Sequence, residues 1–412
     1  MNVAITGWGV LSPTGVTREA FAESVRAGRS GIAPIERFDT SKYPSHMAAM
    51  LREPIDYKRC IKPTHLRRMD DLSRQLTYVA CEAFQHAALA ERDVAPERRA
   101  VVVASGMNHT ESIEKFYVSL LEEGPEGANP IYFPATIPNS AAGLIAIELV
   151  CRGPNLTITQ KETSAEVALV AAADLLENDE ADVVLVAAGE SLTPAVFDGL
   201  SELRTLSRAT GGRIEQMRPF ARSRNGFVTA EGSAAVVLER VQDAEAAGRP
   251  TFGRLVAAAE CCRPCSPVKY PTDPLPLAEA AAALAGHPGC RPDDLAFFSA
   301  AANSTRSLDA CEAEAIQAIM GRFGWYGSEK PVAALKASIG EFCAGGLTRI
   351  LGALVAVEAG VCPPLPFDAR SYDLESDLDL SYRDAPIEVD GRSVLHLATA
   401  AGGHQAALWF TR

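Results

Sequence analysis

The chain has 412 residues, of which 47% are hydrophobic and 22% charged, so it can bury one large core or two fused cores and is not a disordered protein. Its net charge of −13 argues against a nucleic-acid partner, because the phosphates would be repelled. Apolar runs stop well short of the roughly 20 residues of a membrane span, and the N-terminus looks like a strand rather than a secretory signal. We therefore expect a cytoplasmic protein without a membrane partner.

Ten cysteines are scattered along the chain, and a reducing cytoplasm is expected to keep them as thiols. The cluster at 261–265 contains one Cys-x-x-Cys pair, but no second pair lies near it to complete the four ligands of a zinc site. Neither a metal nor a cofactor is expected.

Two stretches share one plan, in which an apolar strand leads through a turn into an alanine-rich helix. The first has a strand at 156–159 and a helix that ends near Glu177. The second has a strand at 331–335 and a helix that ends near Ala359. Short continuous apolar runs are typical of strands buried on both faces, so the repeat predicts a duplicated α/β core.

A second repeat supports the duplication, because 231–239 resembles 402–410 in pattern and each segment closes a half. The strand pattern is lost at 242–250, where acidic residues, alanine and glycine prevail. The sequence predicts two halves, 1–243 and 244–412, that pack as one rigid body.

Four segments, in their order and spacing, resemble the β-ketoacyl-carrier-protein synthases over essentially the whole chain: VAITGWGVLSPTG at 3–15, RFDTSKY at 37–43, RGP at 152–154 and RPFARSRNGFVTAEG at 218–232. The resemblance implies a thiolase-like α/β fold, with two duplicated βαβ halves in an αβαβα layered sandwich. It also implies the chemistry of that family, a decarboxylative Claisen condensation on an acyl carrier protein.

The family's reaction needs a cysteine thiolate at a helix N-terminus, where the helix dipole favours an anion, and two histidines that drive decarboxylation. Counted from the family's landmarks, Glu162 stands at the cysteine position, and Ala301 and Glu341 stand at the two histidine positions. The family's lysine is retained as Lys336, whereas its glutamate is replaced by Ile350. The resemblance thus implies that the catalytic residues are lost, and none is assigned.

We expect Glu162 and Lys336 to form an ion pair across the former active site, so that neither charge is buried alone. Attack by Glu162 is disfavoured, because a carboxylate is a weak nucleophile toward a thioester. A decarboxylating variant of the family carries glutamine at the cysteine position but keeps its histidines, which this chain lacks. The chain-length factors, the ketosynthase β subunits of bacterial type II polyketide synthases, usually carry glutamine there, and this chain departs from them in having glutamate.

The sequence therefore predicts a non-catalytic, chain-length-determining subunit. It would form a heterodimer with a cysteine-bearing ketosynthase α subunit and shape the acyl tunnel for chains carried by an acyl carrier protein. The alternative is a free-standing acyl-thioester enzyme that uses Glu162 and Glu341 as acid and base. Two carboxylates in one low-dielectric pocket push their pKa values apart, which such chemistry requires.

By position in the resemblance, the residues that line the tunnel are Met107, Tyr132, Phe133, Leu200 and Ala401. Tyr132 and Phe133 lie in 129–139, the stretch that the family exchanges between protomers, and their proline-flanked rings could plug an apolar tube. Ordinary packing at an interface is the alternative for both rings. Ala401 stands where an active synthase carries an aromatic gate.

A basic stretch stands out from the acidic chain and comprises Lys58, Arg59, Lys62, Arg67 and Arg68. Carrier proteins are acidic, so these side chains are a candidate contact for the acyl carrier protein. A solvated charged surface is the alternative interpretation.

Overall fold

The computed structural model describes residues 2–209, 214–325 and 330–412. Its strands are β1 (Val3–Leu11), β2 (Ile32–Pro34), β3 (Met47–Ala49), β4 (Arg99–Ala104), β5 (Asn155–Ile158), β6 (Val183–Glu190), β7 (Gly232–Arg240), β8 (Gly253–Cys262), β9 (Leu295–Ser299), β10 (Val332–Ala333), β11 (Val361–Cys362), β12 (Ile387–Glu388), β13 (Ser393–Thr399) and β14 (His404–Thr411). Its α-helices are α1 (Arg18–Arg26), α2 (Pro63–Leu66), α3 (Asp71–His86), α4 (Thr110–Glu123), α5 (Ser140–Leu149), α6 (Ser164–Glu177), α7 (Pro194–Glu202), α8 (Val241–Ala246), α9 (Leu275–Leu284), α10 (Arg306–Arg322), α11 (Lys336–Ile339) and α12 (Gly346–Glu358).

The main sheet repeats one strand arrangement twice. Its order is β5-β4-β6-β7-β1-β8-β14-β13-β9-β10. In the first half β1, β7 and β6 are antiparallel neighbours, and β6, β4 and β5 are parallel. In the second half β8, β14 and β13 are antiparallel, and β13, β9 and β10 are parallel. The predicted duplication is confirmed. The predicted boundary after residue 243 falls inside α8 and stays a prediction.

Alternate side chains of the strands build separate cores, which creates the layers. In β4, Val101 and Val103 pack with α3 and α5, whereas Val102 packs with α6 and α12. In β9, Phe297 faces the core of α6 and α12, whereas Phe298 packs with α9 and α10. Helices α6 and α12 therefore lie between the two halves of the sheet, whereas α3 and α5 cover the outer face of the first half and α9 and α10 that of the second. None of the helices in the described ranges combines the length and the apolar character of a transmembrane span.

The predicted elements are found with shifted ends. The strand expected at 156–159 is β5, and the helix expected to end at Glu177 is α6. The strand expected at 331–335 is shortened to β10, and α11 occupies part of the predicted turn. Gly340 then ends α11 with φ 77°, and a Cβ there would lie 2.5 Å from the Cβ of Ala230. Only glycine combines this left-handed backbone with so close a contact.

Candidate functional site

A small cavity lies where the turns before α6 and after α11 meet the ends of β4 and β6. Its volume is about 50 Å³, which holds water but not an acyl chain. Both carboxylates predicted for the former active site, Glu162 and Glu341, line it, together with the predicted tunnel residues Met107 and Leu200. The remaining lining residues are Glu190, Ser191, Leu192, Val196, Phe227, Thr229, Ala230, Phe342 and Cys343.

Glu162 lies in the short turn between β5 and α6, and its carboxylate is held by two uncharged donors. The Tyr270 hydroxyl donates to Oε1 (3.1 Å), and the backbone N–H of Ala401 donates to Oε2 (3.1 Å). Burial raises the pKa of Glu162, and the nearby carboxylate of Glu341 raises it further. The residue predicted to stand at the nucleophile position is thus hydrogen-bonded through both of its carboxylate oxygens.

Glu341 carries the ion pair of this site. Lys336 Nζ donates to Glu341 Oε2 (2.7 Å), and both side chains are almost fully buried. The prediction of an ion pair between Glu162 and Lys336 is therefore wrong. The physical reason is local: Gly340 ends α11 with φ 77°, and Glu341, the next residue, lies within hydrogen-bonding distance of Lys336, whereas Glu162 is bound by neutral donors. The other oxygen of Glu341, Oε1, is buried without a hydrogen-bond partner among the described residues.

Asn303 and Tyr270 connect the two carboxylates. The amide nitrogen of Asn303 donates to Glu341 Oε2 (2.7 Å) and to the Tyr270 hydroxyl oxygen (3.1 Å). The Thr305 hydroxyl donates to the side-chain oxygen Oδ1 of Asn303 (2.7 Å) and fixes the orientation of the side-chain amide. A continuous hydrogen-bonded path therefore runs from Glu162 through Tyr270 and Asn303 to Glu341 and Lys336.

Sequence reasoning missed Tyr270 and Asn303. Burial and the two carboxylates hold the pKa of Tyr270 well above its usual range, so it stays a hydrogen donor. Asn303 lies two residues beyond Ala301, in the same turn, and that proximity was the available signal. Tyr270 lies far from both carboxylates in sequence, after the cysteine-containing loop, and no pattern marked it.

Ala301 lies in the turn after β9, and two buried acids of α10 hold this turn. The N–H of Ala301 donates to Glu312 Oε1 (2.6 Å), and the N–H of Asn303 donates to Asp309 Oδ1 (3.0 Å). Burial raises the pKa of Glu312 to about 7 and that of Asp309 to about 6. Ile350 is buried in the central core on α12. Neither Ala301 nor Ile350 offers the cavity a titratable group.

A thiol lies in the cavity at a position that sequence reasoning did not consider. Cys343 lines the wall two residues beyond Glu341, and its Cβ packs against Gly106, where a side chain would collide with it at 2.4 Å. Burial raises the pKa of Cys343 well above its usual range, and the carboxylates of Glu162, Glu190 and Glu341 raise it further. The environment thus opposes the thiolate that nucleophilic attack requires.

Glu190, also missed, ends β6 at the cavity wall. It accepts hydrogen bonds from the Ser105 hydroxyl (2.9 Å) and from the N–H groups of Gly106 and Met107. Burial raises the pKa of Glu190 to about 7. Its contacts anchor the segment that carries Met107.

Tyr132 and Phe133 lie outside this cavity. Tyr132 lines a cleft of about 790 Å³ that includes parts of α3 and α4, and this cleft shares Ser191 and Leu192 with the inner cavity. Phe133 is 56% exposed, and its ring packs against Phe116 with centroids 5.6 Å apart. Four of the five predicted tunnel residues therefore divide between two places, with Met107 and Leu200 in the inner cavity and Tyr132 and Phe133 outside it. Ala401 reaches the site through its backbone.

The predicted basic stretch is exposed at all five positions and lines neither space. Arg59 forms an ion pair with Glu82 (3.0 Å). Within the described ranges, no group of three or more His, Cys, Asp or Glu side chains is arranged to hold a metal ion.

Comparisons with known proteins cover the whole chain. Residues 1–244 match the family described as β-ketoacyl synthase, N-terminal domain, and residues 269–366 match the family described as β-ketoacyl synthase, C-terminal domain. A 3-oxoacyl-acyl-carrier-protein synthase 2 of Staphylococcus aureus (strain N315) is 30% identical over 420 residues, which cover 100% of this chain and 98% of the relative.

Two solved structures are similar in fold. One is described as the ishigamide ketosynthase/chain length factor, with a TM-score of 0.85 and 24% identity, covering 100% of this chain and 98% of that chain. The other is a type II polyketide synthase acyl-carrier protein in complex with its ketosynthase bound to the hexaketide, with a TM-score of 0.84 and 20% identity, covering 100% and 99%. The thiolase-like α/β fold expected from the sequence is confirmed.

Proposed function

The chain belongs to the β-ketoacyl synthase family, and from this premise we propose that it is a non-catalytic subunit of a ketosynthase. It pairs with a cysteine-bearing ketosynthase and shapes the acyl tunnel for condensation on an acyl carrier protein, the role of a chain-length factor. The observation that carries the proposal is that both carboxylate oxygens of Glu162, the residue that spacing along the chain assigns to the nucleophile position, are hydrogen-bonded within the chain.

Three features of the inner cavity oppose condensation in this chain. Glu162 supplies a carboxylate where the reaction needs a thiol. The thiol that the cavity does contain, that of Cys343, has its pKa raised by burial and by three carboxylates. Ala301 and Glu341 have no imidazole with which to drive loss of carbon dioxide. The volume of about 50 Å³ leaves no room for an acyl chain. The Staphylococcus aureus relative is named a synthase, so the residues of the site, and not family membership, support the non-catalytic role.

The surface that a partner would cover runs along one edge of the molecule. We call it the β5 face, formed by α4, residues 129–139, α5 and β5, which contact one another in that order. Strand β5 ends the described sheet and pairs with β4 alone, so its other edge has unpaired backbone groups. The large apolar side chains exposed on this face are Tyr117, Val118, Leu121, Ile131, Phe133, Ile137, Ile147, Val150 and Leu156.

A chain of the same fold is the partner that suits this face. Exposed apolar patches of such extent are typical of interaction surfaces, and an open strand edge pairs with another strand. The similarity to a structure described as a ketosynthase/chain length factor supports a ketosynthase as that chain. In this complex, the rings of Tyr132 and Phe133 limit the partner's tunnel, and the basic stretch from Lys58 to Arg68 contacts the acidic carrier protein.

The alternative is a free-standing acyl-thioester enzyme, and one observation favours it. The path through Tyr270 and Asn303 links Glu162 to Glu341, as an acid and base that exchange a proton would require. The cavity in this chain is too small for a thioester substrate unless its walls move. The same assay separates the two functions.

The test is to assay the purified chain alone with malonyl and acyl carrier proteins, and then together with a cysteine-bearing homologue. We expect no carbon dioxide release and no condensation from the chain alone, and activity from the complex. Glu162→Cys is the matched variant, and it stays inactive alone because a thiolate without the histidines can be acylated but cannot drive decarboxylation. Turnover by the isolated chain above that of Glu162→Ala would contradict the proposal and favour the acid–base enzyme.

A further inference from the structure

The β5 face is acidic as well as apolar. Between residues 110 and 160 the chain has six glutamates and two basic residues. Two of these glutamates are neutralised or hydrogen-bonded locally, because Glu111 pairs with Lys115 and Glu148 pairs with His65. Arg152, the second basic residue, already pairs with Glu97 (3.3 Å). The remaining four have no cation within 4.0 Å among the described residues, and they are Glu114, Glu122, Glu123 and Glu126.

Glu114, Glu122 and Glu123 lie on α4 among the apolar residues of this surface, and Glu126 follows in the loop between α4 and residues 129–139. Glu114 and Glu122 line the outer cleft together with Val118, at the helical spacing that places residues i, i+4 and i+8 on one side of α4. Leu121, beside Glu122, is 81% exposed. Glu122, Glu123 and Glu126 are themselves exposed, whereas Glu114 is half-buried. A partner that covers the apolar residues must also cover or approach the acids.

We infer that these four acids, which we call the acidic band, oppose pairing of this chain with its own copy and select a partner whose facing surface is basic. In a two-fold homodimer a patch meets the same patch of its copy, so the uncompensated glutamates would be brought together in doubled number. Like charges juxtaposed at an interface oppose association, and complementary charges promote it. The inference rests on the proposed function, because it takes the β5 face as the pairing surface.

The charge also determines the sign of the salt dependence. Added salt screens repulsion between two acidic bands, so self-association of the chain strengthens with ionic strength. Salt also screens attraction between the acidic band and a basic partner, so the heterodimer weakens. If apolar contact alone held the chains together, the homodimer and the heterodimer would respond to added salt in the same direction. Opposite responses are therefore the signature of the inferred selection.

The experiment uses the full chain and a four-site variant that carries Glu114→Gln, Glu122→Gln, Glu123→Gln and Glu126→Gln. A matched control changes net charge equally at four exposed acids of the C-terminal half, with Asp293→Asn, Glu314→Gln, Glu388→Gln and Asp390→Asn. Sedimentation equilibrium at low and high salt measures the homodimer Kd. We expect the band variant to self-associate at least about tenfold more tightly than the wild type at low salt, and the control to match the wild type.

Three results would overturn the inference: a wild-type chain that dimerises as tightly as the band variant, a control that tightens equally, or a band variant that stays as weakly associated as the wild type. Circular dichroism verifies that each variant is folded. Titration of a cysteine-bearing ketosynthase against the chain is the separate arm. If the heterodimer forms but the band variant self-associates no more tightly than the wild type, the role of the acidic band is refuted and the proposed function stands. If the isolated chain is active, the proposed function is refuted.

Discussion

The inner cavity and the β5 face differ in whether their side chains have bonding partners within the chain. Inside, Glu162, Glu341 and Lys336 are joined by a hydrogen-bonded path, and little space remains. On the β5 face, large apolar side chains and unpaired glutamates are exposed, and a strand edge is open. Residues that have their partners within the chain contribute to its stability, and residues that lack them are available to a second molecule. We therefore expect substitutions inside to lower stability and substitutions on the face to change assembly or product.

The two carboxylates of the cavity differ within this scheme. Glu341 is paired with a cation, whereas Glu162 has only neutral donors. Their turns occupy equivalent places in the two halves, before α6 and before α12, so the local plan is the same. The difference shows that a repeated backbone does not impose a repeated charge environment. Four experiments test these contrasts, from the largest expected effect to the smallest.

Removal of the buried cation should have the largest effect. Lys336→Met leaves Glu341 buried without a counter-charge, and we expect a loss of about 3–5 kcal/mol in the free energy of unfolding. Urea unfolding followed by circular dichroism measures it. The double variant Lys336→Met/Glu341→Gln should recover most of the loss, because it removes both charges. An equal loss in the double variant would show that packing of the lysine, and not the ion pair, stabilises the site.

Interruption of the hydrogen-bonded path at Tyr270 should lower the free energy of unfolding by a smaller amount. Tyr270→Phe deletes the hydroxyl that donates to Glu162 and accepts from Asn303, and leaves both groups without that partner. We expect a loss of about 1–3 kcal/mol, measured by the same unfolding experiment. Tyr117→Phe, at an exposed tyrosine of the β5 face, is the matched control and should leave stability unchanged. Equal stability of Tyr270→Phe and the wild type would mean that water replaces the hydroxyl.

The pH dependence separates the neutral-donor carboxylate from the ion-paired one. Burial raises the pKa of Glu162. The stabilisation from its bound proton is therefore present below the pKa of the unfolded chain and lost as the pH rises through the folded pKa. Glu162→Gln cannot ionise, so its Tm relative to the wild type should rise as the pH increases above the pKa of an unfolded glutamate, about 4.3.

The other buried carboxyls contribute equally to the Tm of Glu162→Gln and of the wild type, so their effects cancel in the Tm difference. The pKa values of Glu190, Asp309 and Glu312 are also raised by burial, but these groups are present in both proteins. Asp390→Asn, at an exposed site, is the control and should show no trend in its Tm difference. A Tm difference between Glu162→Gln and wild type that stays constant over this range would contradict an elevated pKa at Glu162.

The smallest effect on stability is expected on the β5 face. Phe133 is 56% exposed, so Phe133→Ala should leave the isolated chain folded and as stable as the wild type. In the complex we expect a longer product from Tyr132→Ala and Phe133→Ala, because each removes a rigid ring from the partner's tunnel. Gel filtration first verifies the heterodimer, and mass spectrometry then measures product length. An intact heterodimer with an unchanged product from these variants, and from Met107→Ala and Leu200→Ala, would refute length control.

The repeat in the sequence was sufficient to predict the duplicated core. Short apolar strands and alanine-rich helices bury themselves by local periodicity, so β5, α6 and α12 were found close to their predicted places. The assignment of Glu162, Ala301 and Glu341 to the family's catalytic positions also came from spacing along the chain, and it stays a prediction. Residue types and their spacing were thus sufficient to predict the architecture.

The tertiary structure alone decided which group pairs with which. Lys336 binds Glu341, which follows the positive-φ residue Gly340, rather than Glu162, and no periodicity of the sequence encodes that choice. Tyr270 joins Glu162 across 108 positions of sequence, and Cys343 enters the cavity only because Gly106 leaves room for it. Hydrogen bonds and ion pairs depend on distances of about 3 Å. Such distances between remote segments are set by how the layers pack, whereas the pattern that forms each layer is local.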